Sequence, residues 1–178
     1  MRSQRSNPRP EVRLPLSFKA GNIFEHRGDA IIQACDGISR KTVASLGRQM
    51  EKRIGEEVWS DLMDAFEWPI HYGSAQCQLL DDDELFRAVV LMSSLSHHSE
   101  HDGKHLQILS SAVGRAFHVV VGQGFTTASM ALNTGGYRLT REQALPAIQA
   151  AARREPKLDL TIFVRDEEAV ERATKLLR

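Results

Sequence analysis

The sequence predicts an α/β protein, a mixed sheet with helices on both faces. Three observations lead there. Apolar runs at 29–35, 128–132 and 158–164 have the length of buried strands. Residues 73–80 and 85–93 read as two further strands joined by an acidic turn. Segments with apolar residues at helical spacing alternate with these strands, most regularly in the second half. The chain of 178 residues is long enough for one domain with a real core. Residues 1–11 are set apart as a flexible tail and 12–178 as the domain. The tail is polar, with several arginines and prolines.

In chain order, Val12, Leu14, Leu16 and Phe18 alternate with Arg13, Pro15 and Ser17. That period of two predicts a half-buried strand, and Pro15 puts it at an edge or bulge. Gly21-Asn22-Ile23 is a turn. Asp29 to Cys35 is a buried strand closed by Asp36-Gly37, and its Gln33 needs a partner if buried. Val43, Leu46, Met50 and Ile54 share one helical face from Ser39 to Gly55. Val58, Leu62, Met63 and Phe66 suggest a second short helix ended by Trp68-Pro69. After the strand pair comes a polar stretch, 96–105, then a helix with Leu106, Leu109, Ala112, Val113, Ala116, Phe117 and Val120 inward. Gly122 and Gly124 end it. Thr140 caps the next helix, with Gln143 three residues on. Pro146 either kinks that helix or delays its start. Asp166 caps the last helix, which turns Ala169, Val170, Ala173, Leu176 and Leu177 inward and pairs Glu168 with Arg172 outside.

Composition excludes several function classes. Lysine plus arginine balance aspartate plus glutamate at 23 each, so no global field favours nucleic acid or membrane. Cys35 and Cys77 lie in strand-like runs and read as buried free thiols, not a disulfide framework. No apolar run approaches a membrane span and no signal-peptide core opens the chain, which predicts a cytoplasmic protein. Nothing in the sequence requires a cofactor.

The stretch 126–148 carries the most suggestive chemistry. An apolar strand runs into Asn133-Thr134-Gly135-Gly136-Tyr137, and a capped helix follows at once. Glycines let peptide N–H groups approach an anion closely, and a helix start adds free donors and a positive dipole end. A phosphate loop fits this pattern. So does an ordinary βα turn, which favours the same residues.

Four segments in order then make the chain resemble the macro domain family. Gly21-Asn22-Ile23 resembles the family's Gly-Asp-Ile. Asp29-Ala30-Ile31-Ile32-Gln33-Ala34-Cys35-Asp36 resembles Asp-Ala-Ile-Val-Asn-Ala-Ala-Asn. Gly73-Ser74-Ala75 resembles Gly-Glu-Ala, and 130–137 resembles Pro-Ala-Ile-Ser-Thr-Gly-Ile-Tyr. The resemblance implies a three-layer α/β/α fold with a central mixed sheet and a cleft for ADP-ribose or a related nucleotide. It also implies the site residues. Asn22 would face adenine, and Ile23 and Gln33 would be among the ligand-binding residues. Asn133, Thr134, Gly135 and Gly136 would hold phosphates, and Tyr137 the ribose. Several departures accompany it, among them Arg138 in place of the glycine that follows the aromatic residue. Asn22 replaces the acid that reads adenine, and Gln33 and Asp36 replace two asparagines. The glycine-triplet loop is absent, because Gly37 is followed by Ile38-Ser39-Arg40-Lys41.

Asp36 is the catalytic candidate. A carboxylate at a strand end beside a ribose could activate water or attack the anomeric carbon. This leaves an ADP-ribosyl hydrolase acting on modified protein or nucleic acid as the alternative to a binding module. A macro-fold interaction module with a degenerate pocket is the third reading. His97, His98, His101 and His105 stand with Glu100 and Asp102 in a short tract. Such side chains can ligate a metal, but a solvated loop accounts for them and no metal site is assigned.

Overall fold

A computed structural model of the chain describes residues 16–38, 45–81, 83–136 and 138–177. The first strand is β1 (Leu16–Ala20), followed by a one-turn 3-10 helix (Ile23–Glu25) and β2 (Ala30–Cys35). Two helices follow, α1 (Ser45–Ile54) and α2 (Glu56–Ala65), then β3 (Ala75–Leu79) and β4 (Ala88–Ser93). A second 3-10 turn (Ser99–His101) leads into α3 (His105–Gly122). The chain continues through β5 (Thr127–Ala131), α4 (Arg141–Arg154), β6 (Asp159–Val164) and α5 (Glu167–Leu176).

The strands form one sheet in the order β1-β6-β5-β2-β4-β3. β3 runs antiparallel to β4, and the other pairings are parallel. The mixed α/β sheet expected from the sequence is therefore observed. Its five parallel strands end on one rim, at Ala20, Val164, Ala131, Cys35 and Ser93.

The pleat of β2 shows how the layers are built. Ala30 and Ile32 enter one core with α3, α4 and α5, through Leu109, Phe117, Ile148 and Ala169. Ile31 and Cys35 enter the other with α1 and α2, through Met50, Trp59, Leu62 and Met63. Alternation along a strand requires this split. Both faces being covered explains why the central strands read as nearly continuous apolar runs.

One helix differs in phase from expectation, and two others each expose one residue expected inward. In α2, Trp59 is buried while Val58 is exposed, because Trp59, Leu62, Met63 and Phe66 complete the inward stripe. Leu106 of α3 and Leu176 of α5 were expected inward and are exposed. Each is seven residues from a buried residue of its own inward stripe, Val113 or Ala169, but lies in the terminal turn of its helix. Cys77 is half-buried, not fully buried. Pro146 does not delay the start of α4, which runs from Arg141 through it. The capping box at Thr140 and Gln143 and the Glu168–Arg172 pair form as expected. The start of the first predicted strand, 12–15, and of the first predicted helix, 39–44, lies outside the described residues.

Opposite the carboxyl rim, Asp29 staples the strand starts together. Its carboxylate accepts from the peptide N–H of Thr126 (2.9 Å) and Thr127 (3.1 Å) and from both hydroxyls. Burial pushes its acidity constant up, but these bonds and Arg87 outweigh that and hold it below the ordinary value. Among the described residues, no helix is long and apolar enough to cross a membrane.

Candidate functional site

Two adjoining hollows open on the carboxyl rim of the sheet, where open α/β folds bind ligands. The larger, about 910 Å³, lies over the ends of β1, β6 and β5. The smaller, about 380 Å³, lies over β5 and β2. Ser45, Leu46, Ala131, Leu132 and Thr134 line both, so they form one continuous groove.

The 133–136 turn borders the smaller hollow, and its Thr134 borders the larger as well. Its shape comes from Asn133, which is buried beneath it. The Asn133 Oδ1 accepts from Gly135 N–H at 2.7 Å, and its Nδ2 donates to Ser94 Oγ at 2.5 Å. Gly135 and Gly136 both take positive φ, +60° and +69°, a conformation that glycine adopts without Cβ strain. Among the described residues, the Thr134 and Gly136 peptide N–H groups have no hydrogen-bond acceptor. Thr134 lines both hollows and Gly136 the smaller. The structure thus separates two roles that the sequence merged. Asn133 spends its amide on the turn, while the turn's backbone has donors to offer.

The α4 N-terminus contributes less than expected. Thr140 Oγ1 accepts from Gln143 N–H and Gln143 Oε1 from Thr140 N–H. Glu142 bonds its own peptide N–H and the Thr140 hydroxyl, which hold its carboxyl below the ordinary value. Most first-turn donors are therefore satisfied inside the helix. Arg141 supplies the charge instead. It lines the larger hollow with Arg165, and no carboxylate lines that hollow. Among the described residues, neither arginine is in a salt bridge or hydrogen bond.

At the far end, Ile23 and Phe163 are buried and form an apolar floor. Asn22 stands above it, its Oδ1 accepting from Phe24 N–H at 3.0 Å. Gln33 is buried, with neither amide atom partnered among the described residues. By alternation it shares the α1–α2 side with Ile31 and Cys35, and it lines neither hollow.

Asp36 lies beyond β2, outside the lining of both hollows, and Tyr72 donates its phenol hydrogen to Asp36 Oδ1. Burial and the adjacent carboxylate push the Tyr72 phenol up to about 12. Gly37, the residue left where the family's loop begins, is enclosed. An added Cβ would run into the Ile70 carbonyl oxygen and Ser93 Oγ, and its own carbonyl accepts from Ile70 N–H at 2.7 Å. Its backbone serves packing. Cys35, directly before Asp36, is buried, and burial pushes its thiol up to about 12, which removes it as a nucleophile near neutral pH.

The histidine tract packs beside this cluster. His101 Nδ1 is 2.6 Å from Ser96 Oγ, and its ring meets Tyr72 edge-on at 4.6 Å. Among the described residues, no three histidine, cysteine or acidic side chains gather as metal ligands. Tyr137, Arg40 and Lys41 lie outside the described residues. Sequence reasoning missed Arg165, Phe163 and Tyr72. Arg165 follows β6 directly, so its place at a carboxyl strand end was available as a signal. Tyr72 is far from Asp36 in sequence, and only the fold joins them.

No family model matches the sequence, and no curated protein is similar enough in sequence to match it. Solved structures do match. The macro domain of ganglioside induced differentiation associated protein 2 superposes with a TM-score of 0.72 at 14% identity, over 93% of this chain and 84% of that one. A mutant of the Oceanobacillus iheyensis macrodomain with ADPR gives 0.64 at 13% identity, over 91% of each chain. Alphavirus P23pro-zbd gives 0.69 at 18% identity; the match spans 90% of this chain and 23% of that longer one. The sheet order, the layers and these superpositions agree, and the chain has the macrodomain fold.

Proposed function

We propose that this chain binds ADP-ribose or a related nucleotide diphosphate in the rim groove. The observation that carries this reading is the pairing of free donors with free positive charge. The Thr134 and Gly136 N–H groups lie in the wall of a groove whose larger hollow holds Arg141 and Arg165 and no carboxylate. Backbone N–H groups and arginines are the usual partners of phosphate oxygens. Ile23, Phe163 and Leu132 offer an apolar floor for a base, while the turn reaches the diphosphate. The ADPR named with the Oceanobacillus iheyensis macrodomain supports the choice of ligand. Isothermal titration with ADP-ribose, ADP and ATP tests it. A saturable one-to-one heat with ADP-ribose is expected. Silence at millimolar ligand with all three would favour an interaction module with a degenerate pocket.

One observation favours hydrolysis as a second reading. Asp36 stands at a strand end outside the lining of the groove, with Tyr72 holding one carboxylate oxygen, which leaves the other to accept a proton from water. The water oxygen would bond to the anomeric carbon of an ADP-ribosylated protein or nucleic acid as the bond to the macromolecule breaks. Asp36 would take the water proton, and the leaving atom would be protonated from solvent. Release of ADP-ribose that Asp36→Asn abolishes is expected on this reading. Equal release by both proteins would remove Asp36 from it.

A further inference from the structure

The larger hollow holds two groups that can read the edge of a flat ligand on its apolar floor, the amides of Asn22 and Gln49. Gln49 is exposed on α1, makes no hydrogen bond among the described residues, and can turn either end of its amide inward. Asn22 cannot. The Phe24 peptide N–H lies 3.0 Å from the Asn22 side chain, and a peptide N–H must meet an acceptor, so the oxygen faces it. This N-cap bond holds Oδ1 against the 3-10 turn at Ile23–Glu25. Asn22 lines the hollow, and the side-chain atom its cap leaves without a partner is Nδ2, which only donates. A carboxylate in the same place would cap with one oxygen and present the other as an acceptor.

We propose that Asn22 makes this groove prefer a base with an exocyclic carbonyl, such as a 6-oxopurine, over adenine; the inference rests on the groove being a nucleotide site. Adenine offers an amine at its six position, which Nδ2 cannot bond, so Nδ2 would have to turn to a ring nitrogen or to water. Hypoxanthine or guanine offers a carbonyl there and uracil one at its four position, and either can accept from Nδ2. The floor of Ile23, Phe163 and Leu132 is indifferent to this exchange and Gln49 can present either end of its amide, so of the two amides Asn22 is the one with a fixed sign.

The test is titration of the full chain with ADP, IDP, GDP, UDP and ADP-ribose, for the native protein and Asn22→Asp. ADP and IDP differ at the purine six position, with the linked change at N1, and carry the same diphosphate. IDP is expected to bind roughly threefold to tenfold tighter than ADP, the range of one exposed hydrogen bond gained against one lost. GDP should follow IDP if the purine carbonyl is read, and a UDP preference over ADP would assign the carbonyl to either ring class. Asn22→Asp keeps the cap and should reverse the order of ADP and IDP. ADP binding as tightly as IDP, or tighter, overturns the inference and leaves the nucleotide site standing. An unchanged preference in Asn22→Asp overturns the assignment to Asn22. No heat with any of the five ligands overturns the inference and the site together.

Discussion

Asn133→Ala is the most revealing perturbation of the groove. The native side chain is buried and makes two short hydrogen bonds, to Ser94 Oγ at 2.5 Å and from Gly135 N–H at 2.7 Å. The alanine variant loses both. It also leaves two groups in need of partners, the Ser94 hydroxyl, 1% exposed, and the Gly135 N–H. A neutral hydrogen bond contributes about 1 kcal/mol, and a buried polar group left without a partner costs about 1–3 kcal/mol. Some of that cost is recovered by water entering from the groove. A loss of about 2–4 kcal/mol follows, measurable by urea denaturation with the slope unchanged. The melting temperature should fall by on the order of 10 °C for a domain of this size. Affinity for ADP-ribose should fall as well, since the Thr134 and Gly136 donors lose their shared frame. Asn133→Asp keeps an acceptor for both Gly135 N–H and the Ser94 hydroxyl. It should regain much of the stability while still weakening an anionic ligand by charge repulsion. A change of less than about 0.5 kcal/mol in Asn133→Ala, the range of ordinary surface substitutions, would refute the reasoning.

Gly37→Ala should destabilise by roughly 2–4 kcal/mol, because φ is +79° and the new Cβ meets backbone and Ser93; native-like melting would show that the enclosure is loose. Asp29 has a folded acidity constant below its unfolded one, so its contribution is present above the unfolded value of 3.8 and is lost as pH falls through the folded one. Asp29→Asn should therefore cost about 2 kcal/mol at pH 7 and flatten the acid limb of stability against pH, by denaturation at a series of pH values; a parallel limb would count against it. The chain has two tyrosines, Tyr72 and Tyr137. Ultraviolet titration should show a step near pH 12 that Tyr72→Phe removes and Asp36→Asn shifts downward; a step that survives Tyr72→Phe would contradict the Asp36 contact.

The sequence carried the fold further than the site, and the reasons are physical. Strand β6 was legible because both its faces are buried, which leaves an uninterrupted apolar run within 158–164. The α4 start was legible because a capping box is a local motif with a fixed spacing. Helix phase was less so. Val58 and Trp59 are neighbours with similar apolar character, and only the position of the sheet decides which turns inward. Asn133 could be placed in the groove but its direction could not, since Ser94, 39 residues away, holds it. Asn22 illustrates the same limit at the scale of one atom. Its residue type shows both an acceptor and a donor, and the Phe24 N–H determines which one is left. The partnership of Asp36 with Tyr72 spans 36 residues and has no local signature.

The central claim is that the rim groove is a nucleotide site, and one calorimetric titration of the full chain with ADP-ribose tests it most directly. The account expects saturable one-to-one binding that Asn133→Ala weakens and that Arg141→Ala and Arg165→Ala each reduce. No heat up to millimolar ADP-ribose, or binding indifferent to all three substitutions, would contradict it.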